Sequence, residues 1–450
     1  MRPIAWPLLV ISSVLALAAA GTAAVRPRYG GTLRIMLRET SVSLDPARLS
    51  AVQGARIFPL MFEGLTRFDA HGRLQPELAT RWQSDSSNQH WQFWLRPGVK
   101  FHDGTPLTAE AASASLRAAN PSWTVSADGD SVVIETAAPD VELPAELALP
   151  RNGIARHAGN KVVGTGAFAV SDWQPGRSLA LTANEDYWGG RPFVDSVVVT
   201  LGQNWRQQMV ALELGKADVV EVAPEQARRL SSAGRTITES AANELVALVF
   251  TREPQSADET RVRQALSAAI DRASIVNVLL QGQGLAADTI LPNWMTGYAM
   301  LFAEAGQHTG NVDAGPVTGT MTLSYDASDP ANQLIAERVA LNARDAGIKV
   351  QTAASAANAD ARLVRIALAS PQPQLALQVV AGATGLAIPQ FQGTAPEELY
   401  EREKEMLQSG RIFPVAHVPE AAAIAPGVNG WRADLSGGWQ LADVWLGSTP

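Results

Sequence analysis

The chain has 450 residues, which is more than one small domain and suits two or three. A net charge of −8 argues against a general nucleic-acid binder. The lack of cysteine excludes disulfides, thiolate nucleophiles, cysteine-held metals and lipidation through an N-terminal cysteine.

Residues 1–24 begin with Arg2, continue through an apolar run and end in small residues, "ALAAAGTAA". This pattern predicts a secretory signal cleaved after Ala20 or Ala24, or else a retained membrane anchor. "TLRIMLRE" then predicts a strand, with Leu33, Ile35 and Leu37 on one face, and "SLDP" at 43–46 a turn. Residues 55–68 predict a helix followed by an extended piece. "HWQFWLR" at 90–96 alternates, so Trp91, Phe93 and Leu95 share a face of a half-buried strand. "FHDGTPLTAE" supplies an Asp-Gly turn and then Thr108 as the cap of a helix over 109–120. Residues 124–136 predict a hairpin with "ADGD" at its tip. Further strands are expected within "RSLALTANEDYW" at 177–188, with Leu179 and Leu181 on one face, in "FVDSVVVTL" at 193–201 and in "ADVVEVAP" at 217–224, with a helix over 203–215 before the last. Residues 258–281 predict helices, 303–320 a loop, and "TMTLSYD" a strand. "NQLIAERVALNARDAGIKV" predicts a helix, a glycine cap and another strand. Alternating elements of this kind indicate an α/β chain.

Several of these pieces, in this order, resemble the family 5 extracellular solute-binding proteins of ABC transporters, the dipeptide-, oligopeptide- and nickel-binding type. They are "YGGTLRI" at 29–35, "SLDP" at 43–46, "MFEGLTRFDAHGRLQPELATRW" at 61–82 and "LRPGVKFHDGTPLTAE" at 95–110. "VGTGAFAVSDWQPG" at 163–176, "NEDYWGGRPFVDSVVV" at 184–199 and "VRQALSAAIDRASIV" at 262–276 complete the set. The resemblance implies a two-lobed α/β fold of the periplasmic-binding-protein type II kind with an additional N-terminal subdomain. It places a signal peptide or anchor at 1–24, the first part of lobe I at 25–74 and the additional subdomain at 75–155. Lobe I continues over 156–250, a shortened or divergent lobe II spans 251–430, and 431–450 is a C-terminal return segment.

Chemistry is sparse. His71, His90, His102, His157 and His417 are scattered and form no HExxH or other compact metal spacing. No nucleophile, base and orienting group are grouped as a hydrolase would need. His102 and Asp103 are expected to shape a turn. "GTG" at 164–166 lacks the Gly-Lys-Ser/Thr of a phosphate loop, and its glycines suit a close backbone approach. Asp329-Pro330 precedes a predicted helix, and 350–400 shows no matching peptide-anchoring segment. The resemblance implies a ligand cleft near the end of the first strand, where Thr40, Ser41, Val42 and Ser43 are candidates. Trp294 is a further candidate, and Trp431 and Trp439 are C-terminal aromatics of interest.

The implied function is non-catalytic: an extracytoplasmic solute-binding subunit for ABC import. It is periplasmic or otherwise extracytoplasmic, and membrane-tethered if the N-terminal segment is retained. It is expected to capture a short peptide or peptide-like solute by lobe closure and to present it to a membrane permease with its ATPase. No cofactor, bound metal or nucleic acid is expected. The alternatives are an interaction or scaffold protein on a divergent solute-binding fold, and a binder of nickel held in an organic chelate.

Overall fold

The computed structural model describes residues 26–40, 43–49, 56–159, 161–302, 318–368, 370–432, 435 and 437–447. Among them, eleven strands form one mixed sheet that runs through two hydrophobic cores.

The first core is built on the strand Thr32–Met36. It pairs in parallel with Ser196–Thr200 on one side and Val219–Val222 on the other. The alternation puts Leu33 and Ile35 fully inside, against Leu179, Leu181, Val197 and Val199. Arg34, on the opposite face, spans to Asp218 through a two-pronged contact of 2.7 and 2.9 Å. The C-terminal segment returns to this core through Trp439, Leu441 and Val444.

The second core is built on the parallel strands Gly319–Tyr325, Ile348–Ala354 and Ala361–Ala367. The helix Pro330–Asp345 packs Ile335, Ala336 and Val339 against them. Gly347, at φ +80°, ends that helix and starts the next strand. The expected loop over 303–320 lies mostly outside the described residues, and its last two positions open a strand.

Two long antiparallel strands, Thr236–Phe250 and Ile412–Ile424, connect the cores. One end of the pair borders Val219–Val222, and the other borders Ala361–Ala367. Register shifts interrupt their pairing between Glu239 and Glu244, near the crossing point. Bulges of this kind bend a strand and re-aim its side chains.

A separate four-stranded antiparallel sheet covers Ala79–Ser84, His90–Leu95, Thr124–Asp128 and Ser131–Glu135. It has its own core, including Phe93, Leu116, Val132 and Ile134. Thr108 caps the helix Ala109–Ala119, its side chain accepting from the Ala111 amide. Trp91, Phe93 and Leu95 are buried on one face as the alternation predicts.

Candidate functional site

In a parallel sheet, loops leave the carboxyl ends of the strands together, and ligands sit in the crevice outside those ends. Both cores obey this rule and face each other across one cavity of about 750 Å³. From the first core come Arg38, just beyond Thr32–Met36, and Glu221, Val222 and Pro224 at the end of Val219–Val222. Trp205 joins them from the start of the helix Trp205–Glu213, which precedes that strand. From the second core come Tyr325 and Asp326 at one strand end and Ser355 to Ala357 at another. Asp329 and Asn332, at the start of the helix Pro330–Asp345, complete that wall. The crossing strands contribute Glu244 and Glu420.

The polar lining is organised by three arginines. Arg56 lies between two carboxylates, at 2.5 Å from Glu221 and 2.7 Å from Glu420. Although burial works against its charge, Glu420 and Glu221 hold the Arg56 guanidinium protonated above its ordinary range. Arg365 donates to Glu244 at 2.5 and 2.8 Å and to Asp329 at 3.2 Å. Arg38 lies over the Trp205 ring at 4.3 Å and donates to Asp329 at 3.3 Å. Glu221 also accepts from the Arg38 amide at 2.6 Å and from Gln208 at 3.0 Å. Burial pushes the carboxyl groups of Glu39, Glu225 and Glu420 above the usual range, with neighbouring acids adding to it.

The candidates chosen from sequence are placed differently from this lining. Thr40 is exposed beside the turns at Gly176 and Gly202, two residues beyond Arg38. The Ser43 hydroxyl accepts from the Asp45 amide at 3.1 Å, inside the turn. Ser41 and Val42 lie outside the described residues. The Trp294 indole donates to the Ala242 carbonyl at 3.1 Å, and the residue is absent from the cavity lining. Trp431 and Trp439 pack against each other, with ring centres 5.4 Å apart. Thus the described candidates are not brought together, while Arg38, Trp205 and the carboxylate–arginine chain are. Sequence carried a local signal for two of these: Arg38 stands at the end of a predicted strand, and Asp329 precedes a predicted helix.

The His102 stretch is part of the scaffold. His102 Nε2 lies 3.0 Å from the Gly166 carbonyl, and the Gly164 amide donates to Nδ1 at 3.3 Å. Asp103 holds its own turn through Thr105 and pairs with Arg156. The "GTG" segment crosses closely over Leu60 and Met61. Thr165 donates to the buried Glu63 at 2.7 Å, and Tyr187 and Trp188 donate to the same carboxylate. Among the described residues, no group of three or more His, Cys, Asp or Glu is arranged to hold a metal ion.

Residues 73–385 match the model of the bacterial extracellular solute-binding proteins, family 5. The chain is a family 5 extracellular solute-binding protein. Protein XP55 of Streptomyces lividans is 27% identical over 395 residues, covering 77% of this chain and 72% of that protein. The nickel-binding periplasmic protein of Escherichia coli K12 is 26% identical over 265 residues, and the match spans half of each chain. The fold agrees over a greater length. NikA of Staphylococcus aureus, solved with Ni(L-His)2, superposes with a TM-score of 0.77 at 17% identity, covering 92% of this chain and 99% of that one. AppA of Bacillus subtilis, solved with a nonapeptide, gives 0.74 at 17% identity, covering 94% and 100%. These likenesses give the family 5 protein its periplasmic-binding-protein type II architecture. Family members are non-catalytic, and this one is an extracytoplasmic solute-binding component of a peptide-type ABC importer. Its general partners are a membrane permease and its ATPase. No helix among the described residues is long and apolar enough to cross a membrane.

Proposed function

We propose that the cavity between the two cores is the solute site and that its solute is a short peptide or peptide-like molecule. The observation that carries this reading is the wall itself. Residues from the strand ends of both cores line one space of about 750 Å³, a size suited to a small ligand. In this reading the first core is lobe I and the second is lobe II. The crossing strands Thr236–Phe250 and Ile412–Ile424 are the hinge between them.

An extended peptide needs donors and acceptors along its backbone and charge partners at its ends. Arg38 and Asn332 supply such groups, and Trp205 and Tyr325 add aromatic surface. Micromolar affinity requires about 8 kcal/mol of net binding free energy. Several such contacts reach that value once ordering costs are met.

The test is isothermal titration with di- and tripeptides, with nickel–histidine as a parallel probe. Saturable binding of a peptide at one site per chain supports the proposal. Binding of the nickel chelate alone would move the assignment to chelate capture. Binding of neither, with a protein partner that needs no solute, would favour the scaffold alternative.

A further inference from the structure

Formal charge alone makes the cavity look slightly acidic, because its lining carries five carboxylates and four guanidinium groups. A solute meets the bonding capacity that remains after internal pairing. All five carboxylates are already engaged. Glu221, Glu420, Glu244 and Asp329 each accept from at least one arginine side chain. Asp326 accepts from the amide and hydroxyl of Ser328.

The arginines divide into two kinds. Arg56 and Arg365 direct their N–H groups at carboxylates on two sides. Arg38 and Arg362 do not. Among the described residues Arg38 makes one side-chain hydrogen bond, to Asp329, and its guanidinium carbon lies 4.3 Å from the centre of the Trp205 ring. Five N–H donors on a guanidinium leave most of its capacity unused. Arg362, on the strand Ala361–Ala367, is exposed and has no side-chain partner among the described residues. The two lie on opposite walls of the same cavity.

We propose that Arg38 and Arg362 are the specificity-determining residues of this site, and that they select solutes with a net negative charge. The class is an acidic peptide or an amino-acid-derived polycarboxylate. This inference rests on the cavity being the solute site. A carboxylate meeting a guanidinium forms short, paired, charge-assisted hydrogen bonds that an amide or ammonium cannot reproduce. A basic peptide would place an ammonium against two unfilled cations and would find the acceptors already taken. Asn332 fits the same division. It is buried, its Nδ2 donates to the Asp326 carbonyl at 3.4 Å, and its Oδ1 has no partner. It is therefore an acceptor in reserve for one N–H group of the solute.

The experiment is isothermal titration of the full chain with Glu-Glu, Ala-Ala and Lys-Lys. It is repeated with R362Q and with R344Q, an exposed arginine outside the cavity, as control. The expected result is that Glu-Glu binds at least tenfold tighter than Lys-Lys, and that R362Q weakens Glu-Glu roughly tenfold or more. R344Q should leave the affinity unchanged. Raising salt should weaken Glu-Glu in the unmodified protein more than in R362Q. Lys-Lys or Ala-Ala binding as tightly as Glu-Glu would overturn the charge assignment and leave the solute site standing. So would an R362Q variant that binds Glu-Glu like the unmodified protein. If no peptide binds and protein purified from its native compartment carries no small molecule, the solute-site reading and the charge assignment both fall.

Discussion

Asp329 and Arg38 meet across the cavity at 3.3 Å, joining the cap of a helix in one lobe to the end of the first strand in the other. The same carboxylate oxygen accepts from Arg365 at 3.2 Å, while the other oxygen caps the helix through the Ala331 amide at 3.0 Å. One buried side chain therefore organises the helix start, the lobe II wall and a direct tie between the lobes.

Replacing Asp329 by Asn separates these roles, because Asn is nearly as good a helix cap but carries no charge. Arg38 and Arg365 would lose a shared counter-ion. The expected cost is on the order of 2 kcal/mol, since each arginine loses a charge-assisted hydrogen bond while Arg365 keeps Glu244. Urea unfolding checks the stability. Small-angle scattering of the solute-free protein should give a larger radius of gyration for D329N than for the unmodified chain.

Glu403, which is not in the cavity lining, predicts a pH dependence. It is fully buried and accepts from the Ile290 and Leu291 amides and from the Tyr298 hydroxyl. Burial pushes its carboxyl up to about 7. The folded protein then holds a proton that the unfolded chain releases above its ordinary value near 4.5. Stability should fall as pH rises from about 4.5 to about 7 and level off above that. E403Q should flatten this slope in urea titrations at pH 5, 6, 7 and 8.

His417 acts on the same loop with the opposite sign. Its Nε2 lies 3.0 Å from the Ile290 carbonyl, and burial lowers its value to about 4. The unfolded chain takes up a proton near 6.5 that the folded chain refuses until about 4. Stability from this group should be complete above 6.5 and be lost as pH falls towards 4. H417Q should remove that acid-side loss while leaving the Glu403 slope in place.

The glycines of "GTG" predict a steric result. A Cβ on Gly164 would lie 2.1 Å from the Met61 carbonyl oxygen, and one on Gly166 would lie 2.6 Å from that of Leu60. Both neighbours are backbone, which cannot step aside. G164A and G166A should each cost about 2 kcal/mol or more in urea unfolding. Gly382 is the control, because it lies in the helix Pro373–Thr384 with open space around its Cβ position. G382A should raise stability by up to about 1 kcal/mol.

Much of the scaffold is legible in the sequence because short-range rules act on it alone. The alternation at Leu33 and Ile35, the cap at Thr108 and the glycine stop at Gly347 are local signals, and the structure follows them. The site is less legible. Arg38, Glu221, Asp329 and Arg365 are far apart in the chain, and only the sheet topology brings them to one cavity. Arg38 stands two residues before Thr40, yet no local pattern distinguishes a residue that lines the cavity from one that does not. Asp329-Pro330 reads from sequence as a helix start, and its Oδ1 serves that role. Its second oxygen joins the lobes, a role that no spacing rule encodes. The helix Pro373–Thr384 falls in the 350–400 stretch, where the sequence shows no matching peptide-anchoring segment, and its packing against the second half of the chain depends on long-range contacts.

The central claim is that the cavity between the lobes holds a small solute. The most direct measurement is mass spectrometry of the molecule released by denaturant from protein purified without denaturation from its native extracytoplasmic compartment. The account predicts one peptide-like, carboxylate-bearing molecule per chain, lost from an R362Q preparation. Protein that is empty in this measurement and unresponsive to peptides and chelates in titration would contradict it.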